Sequence, residues 1–228
     1  MSTFQLFSLK GRRALVTGSS QGIGFGLAVG LAQAGAEVVL NGRDKKKLDE
    51  AVAVLKSNDH RAFGKAFDVT NKVDVQNSID QIEHKIGPID ILINNAGMQF
   101  RTPLEDYPDE KFDELLRVNI KSVFLVGQAV ARHMITRKKG KIINICSVQS
   151  ELGRPSIAPY TATKGAVKML TKGMCADWAH HGLQINAIGP GYFKTPLNQA
   201  LVDNQEVSAW LEKRTPAGRW GNVEELVG

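Results

Sequence analysis

Short apolar segments alternate with longer segments of helical periodicity along most of the chain. The apolar segments are rich in β-branched residues and lie at 13–17, 37–41, 62–67, 89–93, 141–146 and 183–188. Continuous apolar runs of this length predict strands buried on both faces, and their alternation with helices predicts a parallel sheet. The fold class that follows is α/β, a doubly wound parallel sheet of the Rossmann type flanked by helices. Sites in such sheets lie at the carboxyl ends of the strands.

Composition limits the function classes. The chain has 228 residues, of which 43% are hydrophobic and 23% are charged, and no linker or repeat divides it. We therefore expect residues 1–228 to form a single domain. The net charge of +6 indicates either an ordinary basic surface or attraction for an anionic ligand. No basic stripe with interleaved aromatic residues is present, so we expect no nucleic-acid partner.

Cysteine usage and hydropathy suggest a compartment. Cys146 and Cys175 show no metal-ligand spacing, so we predict buried thiols, no metal site and a reducing environment. Residues 1–10 carry no charged lead before an apolar run, and no apolar stretch reaches membrane-spanning length. We therefore expect a cytoplasmic protein without a membrane partner.

A glycine-rich turn follows the first predicted strand and opens the first long helix. This order is the context of a dinucleotide site, because glycines allow close backbone approach and the helix N-terminus offers free N–H groups to pyrophosphate. The spacing is G-x-x-x-G-x-G rather than G-x-G-x-x-G, and a purely structural turn is the alternative. The predicted cofactor residues are Gly18, Ser19, Ser20, Gln21, Gly22, Ile23 and Gly24.

The end of the second predicted strand bears on the choice of cofactor. An acidic residue there bonds the ribose 2′-hydroxyl of NAD, but this chain carries Asn41, Gly42 and Arg43. Arg43 suits a 2′-phosphate through charge-assisted hydrogen bonds, so we predict NADP, with NAD the less favoured alternative. Asp44 is contrary evidence, and we interpret it as the cap of the following helix.

Two further strand ends complete the predicted cofactor site. Asp68 and Val69 follow the third strand, where Asp68 either accepts from the adenine amino group or caps the next helix. Asn95, Ala96 and Gly97 follow the fourth strand, where small residues let the backbone lie against a flat ring. A tight turn is the alternative for those three residues.

Tyr160 and Lys164 are four residues apart on a predicted helix and therefore share a face. Ser147 ends the preceding strand and is placed to face them. A nearby cation favours the phenolate and lowers the phenol pKa, so these side chains predict a general acid/base assembly, although such a pair alone is more often a solvated surface pair. Asn119, inside a helix predicted over 109–133, either stabilises a local irregularity or holds a water.

Several motifs occur in a fixed order along the chain. They are Thr17-Gly18-x-x-x-Gly22-Ile23-Gly24, Asn94-Asn95-Ala96-Gly97, Asn119, Ser147, Tyr160-x-x-x-Lys164 and Pro190-Gly191. Together they resemble the classical short-chain dehydrogenase/reductases over nearly the whole length. The resemblance implies that Tyr160 is the general acid/base and that Lys164 lowers its pKa and holds the nicotinamide ribose. It also implies that Ser147 orients the substrate and that Asn119 holds a water in a proton relay.

The same resemblance extends to the loop after the last predicted strand. It implies cofactor contacts from Pro190, Gly191, Phe193 and Thr195, with Thr195 bonding the nicotinamide carboxamide. We therefore expect the single domain, residues 1–228, to bind a dinucleotide and to be catalytic, with a substrate lid around 192–215 that is helical over 197–210. We also predict a homo-oligomer, either dimer or tetramer. Relatives continue past residue 228 into another helix and a final strand, so we expect a sheet without that strand.

Four segments are similar to the members of this family that interconvert D-gluconate and 5-dehydro-D-gluconate. These segments are 6–9, 145–152, 191–195 and 213–221. The resemblance implies that reversible reaction, on a substrate with a carboxylate and several hydroxyls. We predict Arg101 and Arg154 as carboxylate partners and Gln149 and Glu151 as hydroxyl partners, with a loop residue facing water as the alternative for each.

Two other functions stay open at this point. One is another reductase of the same family that acts on a 3-oxoacyl or sugar-alcohol substrate. The other is a cofactor-binding regulator without turnover. The presence of Ser147, Tyr160, Lys164 and Asn119 together favours an enzyme.

Overall fold

The strands form one parallel sheet in the order β3-β2-β1-β4-β5-β6. A computed structural model describes residues 3–227, so residues 1, 2 and 228 of the predicted domain lie outside the described part. The strands are β1 (Arg13–Val16), β2 (Glu37–Gly42), β3 (Ala62–Ala66), β4 (Ile91–Asn94), β5 (Gly140–Ile145) and β6 (Leu183–Ile188). The chain builds outward from β1 and then returns to β4 on the other side, which confirms the doubly wound sheet. Among residues 3–227, β3 and β6 are its edges.

Helices connect the strands and cover the sheet. They are α1 (Thr3–Leu6), α2 (Gly22–Gln33), α3 (Lys45–Ser57), α4 (Lys72–Lys85), α5 (Asp109–Leu116), α6 (Ser122–Arg137), α7 (Ala158–Trp178), α8 (Gln199–Val202) and α9 (Gln205–Arg214). The side chain of Asp44 accepts from the N–H of Lys47, as predicted for the cap of α3. No helix between residues 3 and 227 has the length and apolar character that crossing a membrane requires.

The two faces of the sheet carry separate apolar cores. Ala14 and Val16 on β1 pack with residues of α2 and α3, whereas Leu15 between them packs with residues of α4, α6 and α7. Successive side chains of a strand point to opposite faces, so every residue of such a strand is buried when both faces are covered. This is why the strands read as continuous apolar runs.

Two helical predictions need correction. The helix predicted over 109–133 is interrupted by a π-helical turn at Arg117–Lys121, which separates α5 from α6 and contains Asn119. The local irregularity offered as one reason for Asn119 is therefore present. The helix predicted over 197–210 is divided into a 3₁₀ turn at Pro196–Asn198, then α8 and α9, because Asn204 caps α9 by accepting from the N–H of Val207.

A buried hydroxyl ties the central strands together at their carboxyl ends. Thr17 directly follows β1 and is 1% exposed. Its Oγ1 accepts from the backbone N–H groups of Asn95 and Ala96, each at 3.0 Å. These two groups lie just after β4 and have no ladder partner for these bonds, so the hydroxyl fixes the loop that the site requires.

Replacing Thr17 with valine should destabilise the protein without changing its shape. Thr17→Val is close in volume but leaves two backbone N–H groups without their acceptor, so we expect the free energy of unfolding to fall by about 2 kcal/mol. Thr17→Ser keeps the hydroxyl and should lose about half as much. Urea denaturation of both variants checks this, and equal stability of the two would contradict the assigned role of the hydroxyl.

Candidate active site

A cavity of about 530 Å³ lies along the carboxyl ends of the strands. The loops that follow all six strands contribute to its walls, and so do Tyr160 and Lys164 from α7. The size falls within the range of small-molecule and cofactor sites, and the place is where doubly wound sheets bind ligands.

The glycine turn after β1 fits tightly against the loop after β4. A Cβ atom at Gly18 would lie 2.8 Å from the Cα of Ala96, and one at Gly24 would lie 2.4 Å from Nδ2 of Asn95. Gly18 also has a positive φ of 60°. Only glycine satisfies both demands, so the close backbone approach predicted for this turn is present. Gln21, Gly22 and Ile23 line the cavity beside it.

Two predicted cofactor residues, Ser19 and Asn41, use their side chains to support the turn instead of presenting free groups. Ser19 is fully buried, where its Oγ donates to the carbonyl of Val16 and accepts from the N–H of Asn41. The amide of Asn41 accepts from the N–H of Gly18 and donates to the carbonyls of Lys65 in β3 and Phe67 just after it. Ser20 packs beside Gly42 and, like Ser19, is outside the cavity lining. The turn is therefore held from below by neutral side chains.

The far end of the cavity is formed by the loops after β2 and β3. Arg43 is exposed there and makes no hydrogen bond with any residue between 3 and 227, while Asp68 and Val69 line the same end. Asp68 accepts from the N–H and the hydroxyl of Thr70, each at 2.8 Å, and Asn71 caps α4. Of the two roles considered for Asp68, capping the helix is therefore wrong.

Charge and hydrogen bonding keep Asp68 ionised. Burial raises the pKa of this carboxyl, but the hydrogen bonds from Thr70 and the charges of Arg43 and Arg117 together hold it below its usual value. Arg117 also donates to the hydroxyl of Thr70 at 3.0 Å. The cavity therefore has an acceptor and a free cation side by side at this end.

Asn119 secures the loop that leads into the cavity. Its Oδ1 accepts from the N–H of Met98 at 2.8 Å, and its Nδ2 donates to the carbonyl of Met98 at 3.0 Å and to Oγ1 of Thr163 at 3.1 Å. Asn119 is 1% exposed. The amide thus joins the π-helical turn to α7 and to the segment after Gly97. A Cβ added at Gly97 would lie 3.9 Å from the ammonium of Lys164, so this segment runs directly beside that charge.

Lys164 is a buried cation beside Tyr160. Its Nζ donates to the carbonyl of Ile145 at 2.7 Å and lies 5.8 Å from the centre of the Tyr160 ring. No acidic residue in the described part of the chain pairs with it. Burial disfavours the charged form and lowers the pKa of Lys164 to about 8.

Tyr160, Ser147 and Lys164 meet as predicted, but their electrostatics differ from the prediction. Burial raises the pKa of the Tyr160 phenol, and this exceeds the lowering by a hydrogen bond with Ser147 and by the charge of Arg101. The expectation that Lys164 lowers this pKa overall is not met in this arrangement, because desolvation of the phenolate prevails. The phenol is therefore the resting form.

At the substrate end, Arg154 lines the cavity, and Arg101 lies next to it, outside the lining, in contact with the lining residues Gln99 and Asn198. The Nε atoms of both are buried without a hydrogen-bond partner, and neither side chain forms an ion pair within residues 3–227. Nη2 of Arg101 donates to Gln99 and to Asn198. Burial, followed by the like charge of Arg154, lowers the pKa of Arg101.

Of the two predicted hydroxyl partners, only Gln149 is in the cavity. Its Nε2 donates to the hydroxyl of Tyr192 at 3.1 Å, and its Oε1 is buried without a partner. Glu151 lies outside the cavity lining, where its exposed carboxylate pairs with Lys168 of α7. The assignment of Glu151 to the substrate is therefore withdrawn.

The predicted cofactor residues in the loop after β6 also separate into residues that line the cavity and one that does not. Pro190, Gly191 and Thr195 line the cavity, and the hydroxyl of Thr195 has no partner among the described residues. The ring of Phe193 packs instead against Gly221, where a Cβ would lie 2.6 Å from it, and is outside the lining. Phe193 is therefore corrected to a packing residue.

Known proteins match both the sequence and this geometry. The family model described as short chain dehydrogenase matches residues 12–206. The chain is 60% identical over 228 residues to a gluconate 5-dehydrogenase of Gluconobacter oxydans, covering 100% of this chain and 89% of the relative. It is 52% identical over 223 residues to a 5-keto-D-gluconate 5-reductase of Escherichia coli, covering 98% and 88%.

A solved structure is also similar to this chain, in both fold and sequence. A gluconate 5-dehydrogenase from Burkholderia cenocepacia, crystallised in complex with NADP and tartrate, superposes with a TM-score of 0.96 at 57% identity and covers 99% of this chain and 88% of that one. This chain belongs to the short-chain dehydrogenase family. It is accordingly an NAD(P)-dependent oxidoreductase that acts on a CH–OH group.

Sequence reasoning missed two residues of this short-chain dehydrogenase that line the substrate end. Tyr192 contacts Gln149 and stacks edge-to-face on Trp220, with ring centres 5.9 Å apart. Asn198 contacts Arg101, although the two are 97 positions apart. Neither contact has a signal in the local sequence, since the first depends on how the loop after β6 meets the loop after β5 and the second on how it meets the loop after β4.

No group of three or more His, Cys, Asp or Glu suited to a metal ion occurs among residues 3–227. Both cysteines are free, Cys146 buried and Cys175 half-buried.

Replacing Lys164 with methionine should stabilise the protein while it lacks cofactor. The fall of the pKa from its ordinary value of 10.5 to about 8 corresponds to a penalty of about 3 kcal/mol. Loss of the bond to Ile145 offsets about 1 kcal/mol of it. We expect Lys164→Met to raise the free energy of unfolding by about 2 kcal/mol at neutral pH and to abolish turnover.

The sign of the pH dependence is fixed by linkage. The folded pKa is below the unfolded one, so the penalty is complete below pH 8 and disappears as pH rises from about 8 to 10.5. The advantage of Lys164→Met should shrink over that window in denaturation measured at several pH values. Lys172→Met, on the exposed face of the same helix, is the control. A loss of stability in Lys164→Met at neutral pH would contradict the prediction.

Proposed function

We propose that this short-chain dehydrogenase catalyses the reversible oxidation of D-gluconate to 5-dehydro-D-gluconate with NADP(H). One observation carries the choice of substrate, which is the pair of unneutralised arginines beside Tyr160. The names of the relatives at 60% and 52% identity support the same reaction. The NADP named in the Burkholderia cenocepacia structure supports the cofactor.

The arginine pair favours an anionic substrate. Arg101 and Arg154 are close enough for the charge of Arg154 to lower the pKa of Arg101, and both have a buried Nε without a partner. Like charges repel, and a buried donor left without an acceptor costs free energy. A carboxylate removes both costs at once, because a guanidinium matches its two oxygens. An acyl chain or a neutral polyol has no such group.

Gln149 supports a substrate with hydroxyl groups. Gln149 lines the cavity, its buried Oε1 has no hydrogen-bond partner, and its Nε2 donates to the hydroxyl of Tyr192. An amide fixed at its donor end accepts from a hydroxyl in a defined direction. Carboxylate recognition at one end and hydroxyl recognition near Ser147 together describe a polyhydroxy acid.

The cavity fits a dinucleotide. We propose that Gly18, Gln21, Gly22, Ile23 and Gly24 hold the pyrophosphate, that Asp68 and Val69 contact the adenine, and that Asn95, Ala96 and Gly97 lie against the ribose and ring. We assign Pro190, Gly191 and Thr195 to the nicotinamide side, where the free hydroxyl of Thr195 suits the carboxamide. When bound, the nicotinamide supplies or accepts the hydride.

Tyr160 moves the proton in this proposal. In oxidation, the hydroxyl proton of the substrate passes to the phenolate oxygen of Tyr160 while the carbon gives up hydride; in reduction, the phenol returns the proton. Ser147 holds the reacting oxygen and Lys164 binds the ribose. The raised pKa of Tyr160 keeps the phenol protonated, so oxidation should speed up as pH rises and reduction as pH falls.

Asn119 takes part as the residue that fixes the loop beside Lys164. Both hydrogens of its amide are already donated to protein atoms. A relay water would therefore donate to Asn119 Oδ1 or bind the backbone of the π-helical turn. The relay water is one part of the proposed mechanism.

We also propose the setting in which the enzyme works. A single domain with a lid around 192–215 is consistent with one continuous sheet and with the separate helices α8 and α9. Two free thiols suit the cytoplasm. Exposed apolar residues on α6 and α7, Phe124 and Met169, suit a homo-oligomer.

Absorbance of the reduced nicotinamide tests the proposed reaction. The wild-type enzyme should form NADPH from D-gluconate and NADP. Tyr160→Phe should fold and bind NADPH but lose about 10³-fold in kcat, because general acid/base catalysis is removed. Arg154→Ala should raise KM for D-gluconate by about tenfold with a smaller effect on kcat.

Lys168→Ala is the matched control for the arginine. It removes a positive charge from α7 that pairs with Glu151 outside the cavity, so KM should be unchanged. Failure of the wild type to reduce NADP with D-gluconate, or full activity of Tyr160→Phe, would reject the proposed function.

Reversing the charge of Arg43 should change the cofactor preference. Arg43→Asp removes a cation that makes no competing hydrogen bond, so kcat/KM with NADP should fall by about 100-fold while that with NAD is maintained or rises. Lys46→Asp makes the same charge change three residues away, outside the cavity lining, and should leave the ratio unchanged. A wild type that prefers NAD would refute the assignment.

A further inference from the structure

Asn198 bonds to two different loops through one side chain. Its Oδ1 accepts from Nη2 of Arg101 at 3.1 Å, and its Nδ2 donates to the carbonyl of Phe193 at 3.1 Å. Asn198 closes the 3₁₀ turn Pro196–Asn198 and lines the cavity. Both ends of its amide are therefore committed, so its orientation is fixed.

The same turn reaches the glycine turn at its other end. Thr195 precedes it and is buried, and its backbone carbonyl accepts from the N–H of Asn198 at 2.9 Å. The atoms nearest to a Cβ built on Gly22 are Cδ of Pro196 at 3.8 Å and Cβ of Thr195 at 3.9 Å. Residues 195–198 thus extend from the cofactor end of the cavity to the arginine at the substrate end.

The acceptors on Arg101 are neutral. Gln99 and Asn198 orient its guanidinium through amide oxygens, and no carboxylate within residues 3–227 neutralises it. A carboxylate in place of either amide would hold the guanidinium more strongly but would compete with an anionic ligand. Amides hold the arginine in position and leave its charge for the substrate.

We infer that Asn198 is a positioning residue that couples recognition of the substrate carboxylate by Arg101 to the seating of residues 195–198 beside the glycine turn. This rests on the proposed function. A carboxylate on Arg101 fixes the guanidinium, the fixed guanidinium holds Asn198, and Asn198 holds the turn that carries Thr195. Substrate and cofactor should then each bind more tightly when the other is present, by the same factor.

Binding of NADPH, followed by its fluorescence, tests the coupling without turnover. In the wild type, D-gluconate should tighten NADPH binding. Asn198→Ala should weaken the binding of NADPH alone only slightly but lose this tightening, and its KM for D-gluconate should rise about tenfold. In an Arg101→Ala background, Asn198→Ala should add no further change, which a merely local packing role would not produce.

Two more variants sharpen the test. Asn198→Asp keeps the shape but places a carboxylate beside Arg101, so it should raise KM for D-gluconate more than Asn198→Ala does. Asn204→Ala removes an asparagine from the same segment that caps α9 by one backbone bond and does not contact Arg101. It should leave both the tightening and KM unchanged, and an equal loss in Asn204→Ala would overturn the inference.

Hydrogen exchange separates this inference from the proposed function. Without any substrate, Arg101→Ala and Asn198→Ala should raise amide exchange in residues 195–203 to the same extent, and the double variant should raise it no further. If amide exchange of residues 195–203 in Arg101→Ala equals that of the wild type, the coupling is overturned even if D-gluconate is oxidised. A wild type that does not oxidise D-gluconate would reject the proposed function, and the exchange result then decides the inference alone.

Discussion

The bond from the Lys164 ammonium to the carbonyl of Ile145 joins the parts of the site that act together. It links α7, which carries Tyr160, to the end of β5, which precedes Ser147. It also places a cation next to Gly97 after β4. Burying this charge without an acid costs free energy, and the apolar cores on both faces of the sheet offset that cost. An acidic partner would stabilise the charged form of Lys164 but would compete with the ribose hydroxyls that we assign to it. The folded protein is thus less stable because it buries the Lys164 ammonium, which is the group that we assign to the reaction.

Neutral amides frame the cavity, and this choice has an electrostatic consequence. Asn41 and Asn95 hold the glycine turn, Asn119 holds the loop after β4, and Gln99 and Asn198 hold Arg101. An amide supplies donors and acceptors without charge, so it fixes geometry while leaving nearby cations unneutralised. Arg43, Arg154 and Lys164 line the cavity, with Arg101 next to the lining and Asp68 as the acid at the far end. Both proposed ligands, a phosphorylated dinucleotide and a carboxylate, are anions, and their negative charges would neutralise these cations.

The fold could be predicted because its signals are local in the sequence. Part of the site could not be predicted in this way. Continuous apolar runs locate the strands, the glycine turn follows from its neighbours, and the spacing of Tyr160 and Lys164 survives any error in helix bounds. Side-chain direction has no comparable signal. Ser19 follows the lining residue Gly18, and Glu151 lies two positions after the lining residue Gln149, yet the side chain of Ser19 is buried and that of Glu151 pairs with Lys168. The contact between Arg101 and Asn198 joins the loop after β4 to the loop after β6, across β5. Such a contact is visible only once the sheet is assembled.

The π-helical turn at Arg117–Lys121 explains how one helix serves both the core and the site. One residue advances an α-helix by about 100°, so the extra residue of a π turn rotates everything after it by that amount. Before the turn Leu115 is in the core, and after it Val126 and Val130 pack on the sheet. A regular helix with α6 seated in this way would turn Asn119 away from Met98. A regular helix with Asn119 in place would turn the apolar face of α6 from the sheet. The irregularity is therefore the geometry that lets Asn119 hold the loop beside Lys164 while α6 stays packed.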